Sequence, residues 1–274
     1  MKRICKVIKF ARSTYYKYLC PRPSARKTKK EKLRETIKNV FEENKKRYGA
    51  PKIQRVLASH GIHASLKRVQ RHMAVLGLRS IVVKKYSHYS SKCLIEEHDN
   101  LLNRDFKTTV INKKWCTDIT YIHTVNDGWT YLASVMDLAS KKIIGYAYAK
   151  RMTAELAVKA VANACLNVKD TTGIILHSDL GTQYTSQIFE DELVRRNIIH
   201  SYSRKGNPYD NACIESFHSI LKKEEINHNR YYDFKIAGKA IFEYIESWYN
   251  RKRIHGSINY MTPQEYEDAA KAAA

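Results

Sequence analysis

The sequence predicts a mixed α/β domain with a central five-stranded sheet, preceded by a small all-α region. Positive charge lies mostly at one end, since the first 108 residues hold 28 of the 49 Lys and Arg residues but only 8 of the 27 Asp and Glu residues. Near residue 113 the spacing of apolar residues also changes from a helical period to an alternating one. With 274 residues, the chain is long enough for a basic arm and a separate, nearly neutral domain.

The basic arm is predicted to contain a basic helical segment at residues 1–28 and a helix-turn-helix region at residues 29–82. Within this region, residues 31–43 have apolar residues at the spacing of one helical stripe. These residues are Leu33, Ile37, Val40 and Phe41. Dense positive charge repels itself without a counter-charge, so we expect nucleic acid as the partner. A solvated basic surface without a partner is the alternative.

Two further helices with a tight connection are predicted in YGAPKIQRVLASHGIHASLKRVQRHMAVLGL, residues 48–78. Pro51 suits a first helical turn and Gly61 a helix end, while Ser65 caps the second helix. The predicted buried positions are Ile53, Val56, Leu57, Leu66, Val69, Met73 and Leu76. Three basic side chains remain on the outer face of the second helix, and we predict that they contact DNA: Lys67, Arg68 and Arg71. An ordinary helical hairpin would have the same pattern.

Other segments narrow the class of protein. Residues 83–108 have mixed charge and little periodicity, which predicts a linker. The chain has no continuous run of 18 apolar residues and no pattern typical of a signal peptide, so we expect a cytoplasmic protein. The six cysteines lack the spacing of a zinc site, which predicts reduced structural thiols.

The C-terminal domain is predicted to span residues 109–268. Three alternating segments joined by short turns predict an antiparallel meander: KKWCTDITYIHT, WTYLASVMDLAS and KKIIGYAYAK. Helices and strands then alternate through TAELAVKAVANACL, GIILHSDL, SQIFEDELVRRN, IIHSYS and NPYDNACIESFHSILKKEE. The order βββαβαβα predicts a mixed sheet covered by helices.

Three carboxylates occupy unusual positions in this order. Asp118 lies inside the first strand, Asp179 ends the fourth strand, and Glu215 lies in the otherwise apolar helix after the fifth. The carboxyl ends of neighbouring strands are common ligand sites in α/β sheets. If the carboxylates meet, their mutual repulsion requires a cation, and an all-oxygen ligand set suits Mg²⁺ or Mn²⁺. Position alone also fits the alternative that the three do not meet: Asp118 would then be an edge-strand residue, Asp179 a loop or cap residue and Glu215 a surface residue.

A family resemblance covers nearly the whole chain. Asp179 and Glu215 are separated by 35 residues, and Lys222 follows Glu215 by seven. These spacings occur within WCTDITYI, HSDLGTQYTS and GNPYDNACIESFHSILK, and WYNRKRIHGSINYMTPQEYE follows near the C-terminus. Together the motifs resemble the DDE transposase and retroviral integrase superfamily. More narrowly, they resemble the second open reading frame (OrfB) of an IS3-family insertion sequence.

This resemblance implies an RNase H-like integrase core in which three carboxylates are both catalytic and metal-binding: Asp118, Asp179 and Glu215. It implies two Mg²⁺ ions, for which Mn²⁺ substitutes, and a polynucleotidyl transferase that cleaves and joins DNA strands. His177 beside Asp179 is expected either to orient that carboxylate, to contact DNA or to be a structural polar group.

The resemblance also implies DNA contacts and partners. Lys222 is expected to contact the terminal DNA, with a surface lysine as the alternative. Asn207, Tyr209 and Asn211 either position DNA near the metals or cap the helix. Arg253 and His255 match the C-terminal pattern and are expected to touch DNA, unless they form an exposed basic loop. The implied partners are double-stranded DNA at the terminal inverted repeats and target, further copies of the chain, and an upstream-frame (OrfA) product or fusion.

The sequence therefore predicts a transposase subunit that binds element ends and catalyses strand transfer. A DNA-binding regulator or inhibitor of transposition without catalysis is the first alternative. A metal nuclease acting on RNA–DNA hybrids is the second, although the helix-turn-helix region counts against it. A tyrosine recombinase would leave the carboxylates unexplained.

Overall fold

A computed structural model describes residues 5, 7–8, 11–19, 24–82, 100–103, 105–106, 108–204 and 208–273, without the side chains of residues 208 and 209. The chain divides into two compact units, residues 1–81 and residues 82–274. Most of the predicted linker, together with Asn207 and the side chain of Tyr209, lies outside the described residues.

The first unit is helical. Its described helices are α1 (Arg12–Leu19), α2 (Ala25–Glu43), α3 (Ala50–Ser59) and α4 (Leu66–Val75). Helix α2 begins earlier than the apolar stripe predicted, because the Ser24 side chain caps it by accepting a hydrogen bond from the Lys27 backbone N–H. The predicted stripe of α2 is buried as a whole: Leu33, Ile37, Val40 and Phe41.

The predicted limits of α3 and α4 agree with their capping geometry. Pro51 lies in the first turn of α3, and Ser65 accepts a hydrogen bond from the Arg68 backbone N–H at the start of α4. Gly61 and Gly77 end the two helices with φ of +74° and +67°, a conformation that glycine adopts without strain. The buried residues of the pair are Ile53, Leu57, Val69, His72 and Met73. Leu66, predicted to be buried, is instead 37% exposed because it lies in the first turn of α4, at the edge of the contact.

The second unit is built on the predicted five-stranded mixed sheet. Its strands are β1 (Lys114–Thr124), β2 (Gly128–Asp137), β3 (Ile143–Ala149), β4 (Ile175–Ser178) and β5 (Ile199–Tyr202). The spatial order is β3-β2-β1-β4-β5, in which β1, β2 and β3 form the antiparallel meander. Strands β4 and β5 run parallel to β1. The predicted order βββαβαβα and the predicted fold class are confirmed.

Helices pack against the strands of this sheet. The three that follow the meander are α5 (Ala154–Cys165), α6 (Gln187–Arg195) and α7 (Ala212–Glu224). Helix α5 packs on β2 and β3, and Gly145 allows its close approach, since a Cβ there would lie 2.5 Å from the carbonyl oxygen of Ala160. Helix α7 packs against β1 and β2, and its predicted apolar face is buried: Ile214, Phe217 and Leu221.

The C-terminal extension adds helix α8 (Phe234–Phe242), a π-helical turn (Glu243–Tyr249) and helix α9 (Pro263–Ala272). Asn250 fastens this extension to β3, because its side chain both donates to the Ile143 carbonyl and accepts from the Ile143 N–H, each at 3.0 Å. A capping box of Thr262 and Glu265 begins α9. Within the described ranges, none of the helices is both long and apolar enough to cross a membrane.

Candidate functional site

The three predicted carboxylates are positioned by β1, β4 and α7. Asp118 lies within β1, where its Oδ1 accepts a hydrogen bond from the Ile119 N–H at 2.8 Å. Asp179 directly follows β4, the parallel neighbour of β1, and its Oδ1 accepts from the Gly181 N–H at 2.9 Å. Glu215 lies in the first turn of α7, which packs on β1. Asp118 and Glu215, which are more than ninety positions apart in the sequence, thus lie on elements that pack against each other.

The carboxylates affect one another electrostatically. Burial raises the pKa of Asp179, and the negative charge of Asp118 raises it further. Glu215 is exposed as a residue, but the protein atoms around its carboxyl group displace part of the water there and raise its pKa. The charges of Asp118 and Asp179 raise this pKa further. Repulsion between neighbouring carboxylates is typical of sites that bind a cation.

Two side chains on α7 supplement this cluster. His218 is buried between Asp118 and Ser134, with Nδ1 3.2 Å from Asp118 Oδ2 and Nε2 3.3 Å from Ser134 Oγ. Lys222 places its Nζ 3.9 Å from the ring centroid of Tyr121. Burial lowers the pKa of Lys222, whereas the charge of Asp118 acts in the opposite direction. His218 and Lys222 follow Glu215 by three and seven residues, a spacing that places all three on one face of α7, but this spacing does not reveal their contacts with β1.

A cleft of about 430 Å³ opens beside these groups. Its lining residues include Asp118, Glu215, His218, Lys222 and Lys223. In the described part of the chain, no group of three or more His, Cys, Asp or Glu side chains is arranged to hold a metal ion as it stands. The donor chemistry nevertheless fits a hard divalent cation, because the three side chains supply only carboxylate oxygens and repel one another.

Asn211 has a different position from the one its predicted DNA contact requires. Its side chain is only 4% exposed, and Nδ2 donates to the Thr117 carbonyl at 3.0 Å. This bond fastens the residue before α7 to the residue before Asp118. Its Oδ1 is buried and has no hydrogen-bond partner among the residues that the structure describes. Asn211 is therefore placed to hold α7 against β1 rather than to lie on a DNA-binding surface.

The predicted DNA contacts at Arg253 and His255 do not agree with the burial of these residues. Arg253 forms a salt bridge with Glu224 of α7, with Nη2 3.0 Å from Oε1. Its Nη1 lies 3.2 Å from His255 Nε2, and both side chains are at least nine-tenths buried. These two residues of the motif are thus folded inward, with Arg253 against the buried Glu224 carboxylate, whereas Arg251 and Lys252 are exposed.

The predicted basic residues of the helical unit lie on an open surface. Lys67, Arg68 and Arg71 are exposed and line a concave region of about 760 Å³. Additional basic side chains from the start of α2 line the same region: Arg26, Lys27 and Lys30. These three were not predicted to contact DNA, although the run ARKTKK at residues 25–30 carries the signal. Among the described residues, none of these six cations forms an ion pair, so the surface carries unneutralised positive charge.

Comparison with family models agrees with this architecture. Residues 28–86 match a model described as an HTH-like domain, and residues 109–208 and 196–263 match models described as an integrase core domain. The mixed sheet and these matches define the class of protein: an integrase-type polynucleotidyl transferase core with an HTH-like domain.

Known relatives specify the family. The transposase for insertion sequence element IS904 of Lactococcus lactis subsp. lactis (strain IL1403) is 42% identical over 247 residues, which cover 90% of this chain and 97% of that protein. Transposase InsF for insertion sequence IS3A of Escherichia coli (strain K12) is 36% identical over 271 residues, covering 98% of this chain and 94% of that protein. The chain belongs to this family of insertion-sequence transposases, as its motifs predicted.

Similarity to solved structures is weaker. The integrase catalytic core domain of HTLV-2, solved in complex with magnesium, is 17% identical and has a TM-score of 0.45, covering 58% of this chain and 99% of that chain.

Proposed function

We propose that this transposase binds the ends of its element and catalyses DNA strand cleavage and strand transfer at the cleft beside Asp118 and Glu215. The electrostatic contact among the three carboxylates is the observation that carries the proposal: besides burial, the charge of Asp118 raises the pKa values of Asp179 and Glu215, and the charge of Asp179 adds to the rise at Glu215. A protein that kept three carboxylates within electrostatic reach without a cation would lose stability at neutral pH, so a cation-binding role explains the arrangement.

Asp118, Asp179 and Glu215 would hold two divalent ions, Mg²⁺ or Mn²⁺. When bound, two such ions would supply activation of water or of a DNA 3′-OH and stabilisation of the leaving oxygen in an in-line displacement. The protein's own part is positional. His218 fixes one oxygen of Asp118, and the Gly181 N–H fixes one oxygen of Asp179. The packing of α7 against β1 positions Glu215. Lys222 supplies a positive charge at the cleft for a phosphate of the terminal DNA.

Element-end recognition would belong to the helical unit. Lys67, Arg68 and Arg71 lie on the exposed face of α4, the second helix of the helix-turn-helix pair. A basic outer face on that helix suits docking in the major groove, with the surrounding cations on phosphates. Pairing of two element ends would require more than one copy of the chain, and the upstream-frame product remains the expected fusion or partner.

Strand joining with labelled element-end DNA tests this proposal, in Mg²⁺, Mn²⁺ or EDTA. The chain would be used alone and fused to its upstream frame, each with Asp179→Asn and with the matched control Asp191→Asn on the exposed face of α6. Side chains that merely orient metal ligands cost about 10- to 100-fold when replaced, so loss of a ligand should lower joining by more than about 100-fold. Asp191→Asn should leave joining unchanged.

Thermal unfolding gives an independent readout. Asp179→Asn removes one of the repelling charges, so it should raise the midpoint of the metal-free protein at pH 7 and weaken the stabilisation by Mg²⁺. Equal joining by the Asp179→Asn and unsubstituted proteins would refute the assignment of the carboxylates. DNA binding without joining by any form, under either metal, would instead favour a regulator without catalysis.

A further inference from the structure

An exposed group of aromatic side chains lies beside the carboxylate cleft. It comprises Tyr121 and His123 on β1 and Trp129 on β2, which we term the aromatic ledge. The Trp129 ring contacts both others edge-on, with ring centroids 5.2 Å from Tyr121 and 5.0 Å from His123. Tyr121 remains 56% exposed and Trp129 54% exposed. Three contiguous aromatic rings thus contact one another while all three side chains stay exposed to solvent.

Hairpin stabilisation explains only part of this arrangement. His123 and Trp129 are cross-strand partners, and aromatic pairs of this kind stabilise an antiparallel sheet. That role does not require the rings to stay exposed. Single exposed apolar residues need no explanation, but a contiguous exposed group is typical of a binding surface.

The ledge is continuous with the cleft. Tyr121 belongs to both, since it also lines the cleft that contains Asp118 and Glu215. Strand β1 pairs with β4 only through Lys114–Cys116, so the part that carries Tyr121 runs beyond the end of β4. A strand of DNA that enters the cleft would therefore pass the ledge without crossing a neighbouring β-strand on that side.

Positive charge borders the ledge at the cleft. The Lys222 Nζ lies 3.9 Å from the Tyr121 ring centroid, and Lys223 lines the same cleft. Aromatic faces combined with cations that follow a phosphate backbone are typical of surfaces that bind single-stranded nucleic acid. A duplex hides its base faces within the stack, so the partner must present unpaired bases.

We infer that the aromatic ledge binds unpaired bases of the DNA strand whose phosphate lies in the carboxylate cleft. This inference rests on the proposed function for the cleft but not on the metal chemistry. The cationic border favours a polyanion over a second copy of the chain, because a copy placed symmetrically on the ledge would bring Lys222 and Lys223 close to their own counterparts.

Tryptophan fluorescence provides a local test, because Trp129 is the one exposed residue among the three tryptophans. Trp115 is 0% exposed and Trp248 is 6% exposed. The full chain would be titrated with an oligothymidylate in EDTA, and separately with a blunt oligo(dA)·oligo(dT) duplex of the same length. The basic helical unit is expected to bind either DNA through phosphates, so the duplex controls for binding that does not involve the ledge. We expect the single strand, but not the duplex, to quench Trp129 emission and protect it from acrylamide.

The substitution Tyr121→Leu keeps the Trp129 reporter while removing a neighbouring ring. Base stacking on one aromatic ring corresponds to about 5- to 160-fold in affinity, so half-saturation of the quenching should shift to higher oligothymidylate concentration by that factor. Phe242→Leu is the matched control, since Phe242 is 55% exposed on α8 and lies outside the ledge. It should leave the titration unchanged.

Several results would overturn the inference. Equal quenching by the single strand and the duplex would exclude base stacking, and so would an unchanged Trp129 signal in the unsubstituted protein. A shift in Trp129 emission with protein concentration, without DNA, would assign the ledge to contacts between copies. Asp179→Asn distinguishes this inference from the proposed catalysis: quenching that persists in this variant supports the ledge, whatever its joining activity. If quenching requires the Asp179 carboxylate, the ledge does not bind bases independently.

Discussion

Removal of Glu224 is expected to be among the most damaging single substitutions in the second unit. Glu224 ends α7, the helix that carries Glu215, and its side chain is only 3% exposed. The carboxylate accepts hydrogen bonds from Arg253 Nε at 3.1 and 3.2 Å, from the Tyr244 hydroxyl at 3.0 Å and from Trp248 Nε1 at 3.1 Å. One buried carboxylate thus connects α7 to the C-terminal extension.

The size of the effect follows from the charge left behind. Glu224→Ala leaves the Arg253 guanidinium buried without its countercharge, and breaking a buried ion pair in this way costs about 3–5 kcal/mol. The Tyr244 and Trp248 donors also lose their acceptor, although such costs do not simply add. For a unit of this size, each kcal/mol lowers the melting temperature by about 2–4 °C, so we expect a fall of about 6–20 °C.

Unfolding by urea and by heat, followed by circular dichroism and tryptophan emission, measures this effect. Lys223→Ala on the neighbouring residue is the matched control and should change the free energy of unfolding by less than about 0.5 kcal/mol. The double variant Glu224→Met/Arg253→Met removes both charges. Its loss of stability should therefore be smaller than the sum of the losses caused by Glu224→Ala and by Arg253→Ala. A loss below about 1 kcal/mol for Glu224→Ala, or strictly additive single effects, would refute the buried-pair reasoning.

Two other predictions concern the sheet. Gly145→Ala should lower the free energy of unfolding in urea by about 3 kcal/mol or more, because its Cβ would overlap the backbone of α5 at Ala160 and Ala164. The control Gly256→Ala has open space around it and should change this free energy by less than about 1 kcal/mol. Equal effects of the two substitutions would contradict the close packing of α5 on β3. His177 is fully buried between Ser201 and Ser203, and burial lowers its pKa from 6.5 to about 4. Because the folded pKa lies below the unfolded one, its contribution is complete above pH 6.5 and about 3 kcal/mol of stability is lost as pH falls through 4. His177→Gln should flatten this part of the stability–pH profile, and an unchanged slope would count against the buried neutral imidazole.

Local patterns in the sequence predicted most of the fold. Helical stripes, Ser65 as a cap, and glycines at helix ends depend on residues within one or two turns, so they are readable without the tertiary structure. The alternation in β1 to β3 likewise predicted the meander. The apolar stripe did not predict the start of α2, because its first turn is polar and basic and is fixed by the Ser24 cap.

The site was less accessible from the sequence. Motif resemblance singled out Asp118, Asp179 and Glu215, and their roles as ligands remain a proposal. The positions expected to touch DNA divide in the structure, since Lys67, Arg68 and Arg71 are exposed whereas Arg253 is buried against Glu224. A basic residue has the same appearance in a sequence whether it faces solvent or a buried carboxylate.

By itself, the sequence determined the order of the elements, the concentration of positive charge in the first unit and membership of the family, because these are properties of short segments or of several motifs in a fixed order. The tertiary structure alone decided which distant side chains meet: His218 with Asp118, Arg253 with Glu224, and Trp129 with Tyr121. These contacts depend on strand register and on the packing of α7 across the sheet. No local period encodes them, since the partners belong to segments that come together only when the core forms.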